Sequence, residues 1–379
     1  MAFVYDVAII GGGPAGSSCA LALHKKGLKV VLIDKASFPR DKTCGDAIPG
    51  PSFKAFASLN ENWHQQLKTF KEKMEVTSAL LVLGNKNSFQ YNWKTYSYNS
   101  KRIDFDHFLY QLVQKETDTT TFTNKQLKNI IDETTHYRCE FQDDSTLLAT
   151  MVIGCDGANS IVRKKIMQGS THKNIAAVRA YYKNIAGMKE GVNEIHVLKE
   201  VKGYFWIFPL KDGWANVGFG LFNNKTKKAS TVNVTDILQK ITHSPSLSRR
   251  FKDAVLVDRV KGHGLPIWTK KTPISGNRFM LCGDAAYLID PLQGHGIDNA
   301  IWSGIIAANQ ICNCFKKQNF SAKFMTQYDQ RIYHQLGRIM SGNYRVMRIA
   351  ATIQKIEKFV PFSLFPNQKI LNWLIKKIA

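Results

Sequence analysis

The apolar positions of the first forty residues fall into a strand, a helix and a second strand. Tyr5 to Ile10 is a short apolar run, the glycines from Gly11 to Gly16 break it, and Ser17 to Lys26 carries a helical pattern ending at Gly27. Leu28 to Ile33 is a second apolar run, closed by Asp34. Strand, helix and strand in that order predict a βαβ unit with parallel pairing. The pattern changes between Lys73 and Tyr98, where β-rich, aromatic segments follow one another, and helical spacing returns from Asp104 to Glu116. Strand-like runs follow at Tyr137–Phe141 and Met151–Asp156, and the stretch from Asn174 to Val260, including Gly203 to Phe222, is predicted to be strand-dominated. Glycine-rich motifs come back between Lys261 and Ile297, and everything after Ile297 is patterned as helix. No internal repeat or low-complexity linker divides the chain.

The breaks in this pattern carry the chemistry. Gly11, Gly13 and Gly16 fill the three glycine positions of G-x-G-x-x-G, with Pro14 and Ala15 between the last two. The first glycine permits a tight turn, the second a close backbone approach to a pyrophosphate, and the third tight helix–strand packing. Asp34, at the end of the next strand, is placed to accept hydrogen bonds from a ribose. Alone, such a loop leaves NAD, NADP and FAD open. The run Gly283-Asp284 through Asp290-Pro291 to Gly294-His295-Gly296-Ile297 narrows the choice. An extended FAD needs a second element of this kind, with a carboxylate for the ribityl and pyrophosphate region and glycines that bring backbone N–H groups close to a flat polar ring. Gly154-Cys155-Asp156-Gly157-Ala158-Asn159-Ser160 follows an apolar strand, and its turn is expected to bring Asp156 toward the cofactor, with Ser160 starting a helix. The expected fold class is therefore α/β (α+β): a Rossmann-like FAD-binding domain of residues 1–72, 99–173 and 261–310, interrupted by an antiparallel β-sheet substrate domain of residues 73–98 and 174–260, with a helical region over 311–379.

Composition adds exclusions. At 379 residues, 44% hydrophobic and 21% charged, the chain suits one large or two interlocked globular domains. No apolar run reaches the ~18 residues of a spanning helix, and Met1 to Asp6 leads straight into the first strand, so neither membrane span nor signal peptide is expected. Seven cysteines without a regular framework suit free thiols and a cytoplasmic setting. Cys312 and Cys314 are the only close pair, and no His/Cys cluster supports a metal. The net charge of +23 is spread along the sequence, and no nucleic-acid-binding module accompanies it. From Arg338 to Ala379, eight Lys and Arg residues face Glu357 alone, interleaved with Phe359, Phe362, Leu371 and Trp373. That composition suits peripheral contact with an anionic membrane, or packing on the body of the protein over the substrate channel.

The set GGGPAG, GCDGANS and GDAAYLIDPLQGHGI resembles the FAD-dependent oxidoreductases of the para-hydroxybenzoate hydroxylase type, from residue 5 to about 310. Two further elements resemble the geranylgeranyl reductase branch: Phe38 to Asp46, with Cys44-Gly45 beside the flavin, and Tyr204-Phe205-Trp206-Ile207-Phe208-Pro209, similar to a Tyr-x-Trp-x-Phe-Pro strand. Arg102 with Phe105-Asp106 resembles an Arg-x-x-Phe-Asp element near FAD. The resemblance implies that Gly11, Gly13, Pro14, Ala15, Gly16, Asp34, Lys35 and Arg40 hold the AMP half, and that Arg102, Asp156, Gly157, Gly283 and Asp284 hold the middle. Cys44, Gly45, Pro291, Gly294, Gly296 and Ile297 then lie by the ring.

Tyr204, Trp206 and Phe208 alternate along a strand and share one face, forming an apolar wall suited to an isoprenoid or an aromatic substrate, although such a stripe also serves as plain core. Cys44, Tyr204, Trp206 and His295 are the catalytic candidates. Cys44 is a proton donor or an inert buried thiol. His295, where the family carries a small or amide residue, is an exposed loop residue or a titrating group near the flavin. No second Gly-rich fingerprint serves a nicotinamide, so NAD(P)H or another external donor is expected to reduce the flavin without a Rossmann site of its own. The implied activity is reduction of polyprenyl double bonds. The alternatives are monooxygenation of an aromatic or polyketide compound, halogenation, for which the Tyr204–Pro209 strand departs from the expected motif, and a non-catalytic flavin sensor.

Overall fold

A computed structural model describes residues 4–83, 87–167, 175–197, 203–221 and 234–356. Within them two β-sheets meet across a large cavity. The first sheet has eight strands, ordered Ser275–Gly276, Phe279–Leu281, Thr146–Gly154, Val4–Ile10, Val30–Ile33 and Thr120–Phe122, with Leu127–Asp132 and Tyr137–Phe141 hairpinned onto Thr146–Gly154. Val4–Ile10 lies at its centre and pairs in parallel with both neighbours. Helices must then cover both faces of this strand, which explains why Val7, Ala8 and Ile9 are all inaccessible to solvent.

The first helix runs Pro14–Leu23 rather than Ser17–Lys26. Pro14 starts it because its missing N–H costs nothing in the first turn, and a left-handed Lys25 ends it ahead of Gly27. The 21-residue helix Ile297–Lys317 lies against it. The two backbones touch at Gly304, where a Cβ would stand 2.2 Å from the Ala15 carbonyl oxygen.

The second sheet has nine strands, ordered Val255–Leu256, Ile175–Lys183, Trp214–Leu221, Gly203–Pro209, Val192–Val197, Met74–Leu83, Asn87–Asn99 and Ala47–Ile48, with Lys261–Leu265 also paired to Ile175–Lys183. Its pairing is antiparallel except where Val192–Val197 runs parallel to Met74–Leu83. Ala47–Ile48 and Lys261–Leu265 belong to this sheet, so it draws strands from beyond both 73–98 and 174–260.

The expectation that 174–260 is strand-dominated misses a helix, Val234–Thr242. Its Leu238 and Ile241, spaced at three residues, meet Phe205, Ile207, Val217 and Phe219 on the outer face of the sheet. That covering leaves the alternate residues Tyr204, Trp206 and Phe208 to face the cavity. The helices Ala322–Gln335 and Gly337–Ile356 follow, as the C-terminal pattern predicts. Residues 357–379, the greater part of the basic tail, lie outside the described residues. No helix among the described residues is long and apolar enough to cross a membrane.

Candidate functional site

The cavity between the sheets measures about 790 Å³, toward the upper end of the range for small-molecule sites. Of the cofactor-binding and catalytic candidates from the sequence, all but Gly16 and Pro291 line it.

At one end, the glycine loop shows three separate reasons for glycine. Gly11 has φ +107°, and a Cβ on it would lie 2.3 Å from the Cys155 carbonyl oxygen. A Cβ on Gly16 would lie 1.9 Å from the Gly11 carbonyl oxygen, so Gly16 acts through packing and not by lining the cavity. At Gly13 the nearest atom is Arg40 Nη2 at 3.5 Å, which leaves the backbone open to the cavity beside a cation. This cradle fits the pyrophosphate of FAD.

Pro14 and Ala15 open the following helix, and Lys35 joins them at the cavity edge. Asp34 ties the loop down. Its Oδ2 accepts from Gly12 N at 2.8 Å and from Arg40 Nε and Nη2 at 3.3 and 3.1 Å, and its Oδ1 accepts from Ala36 N at 3.0 Å. Oδ1 is therefore the oxygen with acceptor capacity left for a ribose hydroxyl.

From Arg40 to Asp46 the chain lies between the two sheets and is bonded to both. Arg40 Nη1 donates to Asp106 at 3.1 Å, and Lys42 Nζ donates to Asp284 at 2.8 Å, both on the nucleotide-binding side. Asp41 points the other way, accepting from Arg179 Nη2 at 2.6 Å and Lys261 Nζ at 2.7 Å on the second sheet. Arg102 closes the group from below, donating through Nε and Nη2 to both oxygens of Asp106 at 2.6 and 2.8 Å. Burial works against the Arg102 charge, but Asp106 and the nearby Cys44 hold it firmly protonated.

The second glycine-rich element lies opposite. Burial pushes the Asp284 carboxyl up, yet Lys42 outweighs it and holds the group below its ordinary value, so Asp284 is an anion lining the cavity. Gly283, at φ +57°, packs against Ala300 and Ala15. Pro291 is buried away from the cavity, and its part is to shape the turn. Gly294 has φ +70°, Gly296 caps the helix, and Ile297 begins it.

His295 is neither freely exposed nor neutral. Its Nδ1 lies 2.8 Å from Asp298 Oδ1, and its side chain retains 25% exposure. Burial alone would depress its pKa, but Asp298, with help from Asp290, raises it to about 9. It is an imidazolium on the cavity wall at neutral pH.

Asp156 has a second engagement besides the cavity. It lines the cavity, but its carboxylate is turned into the neighbouring helix Ile161–Ile166. Oδ1 accepts from Ser160 Oγ at 2.5 Å, and Oδ2 accepts from Ile161 N at 2.6 Å and Val162 N at 3.1 Å. The side chain caps a helix from its place on the cavity wall. Ser160 starts that helix as expected, accepting from Arg163 N at 2.9 Å. Arg163 then donates to the Ala285 carbonyl at 2.5 Å, joining this motif to Gly283-Asp284. Gly157, at φ +78°, has no neighbour within 4 Å of an added Cβ.

The far wall is aromatic. Ring centroids are 5.8 Å apart for Tyr204 and Trp206 and 6.1 Å apart for Trp206 and Phe208. Their partners in register on Trp214–Leu221 are Gly220, Gly218 and Asn216. The two glycines make room: a Cβ on Gly218 would stand 2.3 Å from Trp206 Cζ2. Tyr204 donates to the Gln293 carbonyl at 3.1 Å, linking this wall to the Gly294–Gly296 loop. Half-buried Cys44 lines the cavity, and the adjacent Gly45 faces Trp206 and Phe208.

Sequence reasoning missed a polar layer behind this wall. Asp46 is fully buried, accepting from Tyr181 OH at 2.7 Å and Asn216 Nδ2 at 2.8 Å. Burial raises its pKa to about 6, against the pull of those two hydrogen bonds and of Arg179 and Arg102. His263, also on the cavity, has its pKa lowered by burial and by Lys42. Asp41 and Asp46 lie inside the Phe38–Asp46 motif and could have been singled out there. Arg179, Asn216 and His263 are isolated polar residues in apolar strands, and only the Asn216-x-Gly218-x-Gly220 alternation gives a hint. No group of three potential metal ligands occurs among the described residues.

Known proteins match this arrangement over most of its length. A digeranylgeranylglycerophospholipid reductase from Methanocella arvoryzae is 24% identical over 359 residues, 92% of this chain and 88% of its own. The crystal structure of a geranylgeranyl bacteriochlorophyll reductase-like protein from Thermoplasma acidophilum superposes with a TM-score of 0.78 at 24% identity, covering 100% of this chain and 96% of that one. A flavin-dependent brominase superposes equally well, with a TM-score of 0.78 at 20% identity over 99% of this chain and 93% of its own, so the fold alone does not separate these chemistries. The FAD binding domain family matches residues 4–328, which contain both glycine-rich elements and the aromatic wall. The chain belongs to the FAD binding domain family and is an FAD-dependent oxidoreductase.

Proposed function

We propose that this protein saturates carbon–carbon double bonds of a polyprenyl substrate. The observation that carries the reading is the joining of Tyr204, Trp206 and Phe208 to the FAD cradle in one cavity. Three aromatic rings in a row offer a long apolar face with one polar handle, the Tyr204 hydroxyl, which is already committed to Gln293. That wall suits a methyl-branched chain better than a substrate that must be fixed by several polar contacts. Relatives named for reduction of geranylgeranyl lipids support the same choice.

FAD, when bound, supplies a hydride, and the substrate takes up a proton on the adjacent carbon, so the double bond is lost with two hydrogens gained. The chain's own residues position and protect. Gly11, Gly13, Asp34, Arg40 and Asp284 hold the cofactor. Tyr204, Trp206 and Phe208 align the alkene and keep water away. Cys44, on the cavity lining beside Arg102, holds the proton that is delivered. The His295 imidazolium lies on the same wall as Gly294 and Gly296, where its positive charge would favour negative charge on a bound group. NAD(P)H or another external donor restores the electrons.

Contact with an anionic membrane belongs to the same reading. Val255, Leu256 and Val257 are all exposed at a sheet edge, flanked by Arg249, Lys252 and Arg259. Val257 N bonds the Tyr181 carbonyl and Asp258 bonds Arg179, so the edge adjoins the cavity rim.

The test is anaerobic mixing of dithionite-reduced enzyme with a geranylgeranyl lipid, following flavin absorbance and product mass. Reoxidation with a gain of two hydrogens is expected. No anaerobic turnover, with a product heavier by one oxygen in air, would sink the reading.

A further inference from the structure

Asn216 is fully buried behind the aromatic wall, between Tyr181 on one neighbouring strand and Phe208 on the other. Its Oδ1 accepts from Trp206 Nε1 at 2.9 Å. Its Nδ2 donates both hydrogens, to the Cys44 carbonyl at 2.8 Å and to Asp46 Oδ2 at 2.8 Å. The orientation of the amide follows from its partners. An indole N–H only donates, while a carbonyl and a carboxylate accept, so the flipped amide would lose all three bonds. One side chain thus joins the centre of the aromatic wall to the segment that carries Cys44.

The segment has reason to need holding. Asp46 has a left-handed backbone at φ +66°, which is unfavourable for a residue with a Cβ. Its Oδ1 is buried without a hydrogen-bond partner, so Oδ2 carries the whole anchorage of the side chain. Without Asn216, the Asp46 side chain would keep only Tyr181, and the Cys44 carbonyl would lose the side-chain donor facing it.

We propose that Asn216 is a positioning residue that fixes the Cys44–Asp46 segment against the Trp206 indole at a set separation. It touches neither substrate nor cofactor. It acts by keeping the segment that carries the thiol in register with the aromatic surface beside it. The effect on turnover rests on the polyprenyl reading, whereas the clamp itself does not.

The experiment therefore has a readout that needs no substrate. Full-length FAD-loaded protein is treated with N-ethylmaleimide, and alkylation of each cysteine is followed by peptide mass spectrometry in wild type, Asn216→Leu and Trp206→Phe. Trp206→Phe keeps an aromatic ring and removes one N–H, so it decides the matter if Asn216→Leu does not fold.

Cys44 is expected to react roughly tenfold faster in Asn216→Leu, about the equilibrium effect of one lost hydrogen bond, and a few-fold faster in Trp206→Phe. Cys312, the other half-buried thiol, is expected to keep its rate in both. With a geranylgeranyl lipid, kcat/KM is expected to fall in each single variant, and the double variant to be no worse than Asn216→Leu. An unchanged Cys44 rate in both variants, or strictly additive losses in kcat/KM, overturns the proposal. Faster Cys44 alkylation in a protein that never reduces the lipid overturns the substrate reading and leaves the clamp standing.

Discussion

The His295–Asp298 pair makes stability depend on pH over a defined window. In an unfolded chain His295 titrates near its ordinary value of 6.5, and in the folded protein at about 9. A group whose pKa is raised by folding stabilises fully below its unfolded value, and the contribution is lost as pH rises through the folded one. Asp298 moves the opposite way: burial pushes it up, His295 pulls it below 3.8, and its contribution is lost only in acid. The pair is therefore fully stabilising between about pH 4 and 6.5, and weakens from there to pH 9.

A shift of about 2.5 pKa units corresponds to a ceiling of about 3.4 kcal/mol. Because the His295 side chain keeps 25% exposure, solvent screening brings the expected figure to about 1–2 kcal/mol. The assay is urea unfolding of the FAD-loaded protein at pH 6 and pH 9.5, for wild type and for His295→Gln/Asp298→Asn. The double substitution avoids stranding a buried carboxylate. Wild type should lose about 1–2 kcal/mol more than the variant over that interval. Parallel pH dependences in the two proteins would refute the pairing, whatever their absolute stabilities.

Further expectations follow from close contacts and charges. Gly16→Ala places a methyl against the Gly11 carbonyl at 1.9 Å, and is expected to abolish FAD retention, as judged by flavin absorbance after gel filtration. Gly218→Ala drives a methyl into Trp206 and the Val178 carbonyl, and should cost about 1–3 kcal/mol in chemical denaturation and raise KM for the lipid. Arg179→Met leaves Asp41 and Asp258 with Lys261 alone and is expected to destabilise the protein by about 1 kcal/mol in urea unfolding, with partial recovery when Asp41→Asn is added. Cys44→Ser should lower kcat well below the wild-type value while FAD affinity is retained, and full turnover would remove Cys44 as the proton source. Leu256→Asp should weaken sedimentation with anionic vesicles but not with neutral ones if that edge meets a membrane.

The sequence exposes what depends on local geometry. Each glycine of the first loop shows its own reason, because the absence of a Cβ leaves a fixed spacing along the chain. The aromatic stripe shows because strands alternate their faces, and the Val234–Thr242 helix would have shown had Leu238 and Ile241 been read at helical spacing. The ion pairs stay hidden, since nothing near Asp41 reveals that its partners are Arg179 and Lys261. Asp156 is legible in part: the glycine turn tells that it meets the cavity, but not that the Ser160 hydroxyl and two helix N–H groups bond its carboxylate. His295 also depended on a neighbour, since Asp298 on the first helical turn decides whether the ring is charged.

The short stretch from Arg40 to Asp46 has a mechanical consequence. Its bonds pull in both directions, through Arg40 and Lys42 to Asp34, Asp106 and Asp284, and through Asp41, Cys44 and Asp46 to Arg179, Lys261, Asn216 and Tyr181. Prising the two sheets apart at this seam would break ion pairs on one side or a buried network on the other. The two walls of the cavity are thereby held at a fixed spacing, so its width is set by this seam and not by whatever enters it.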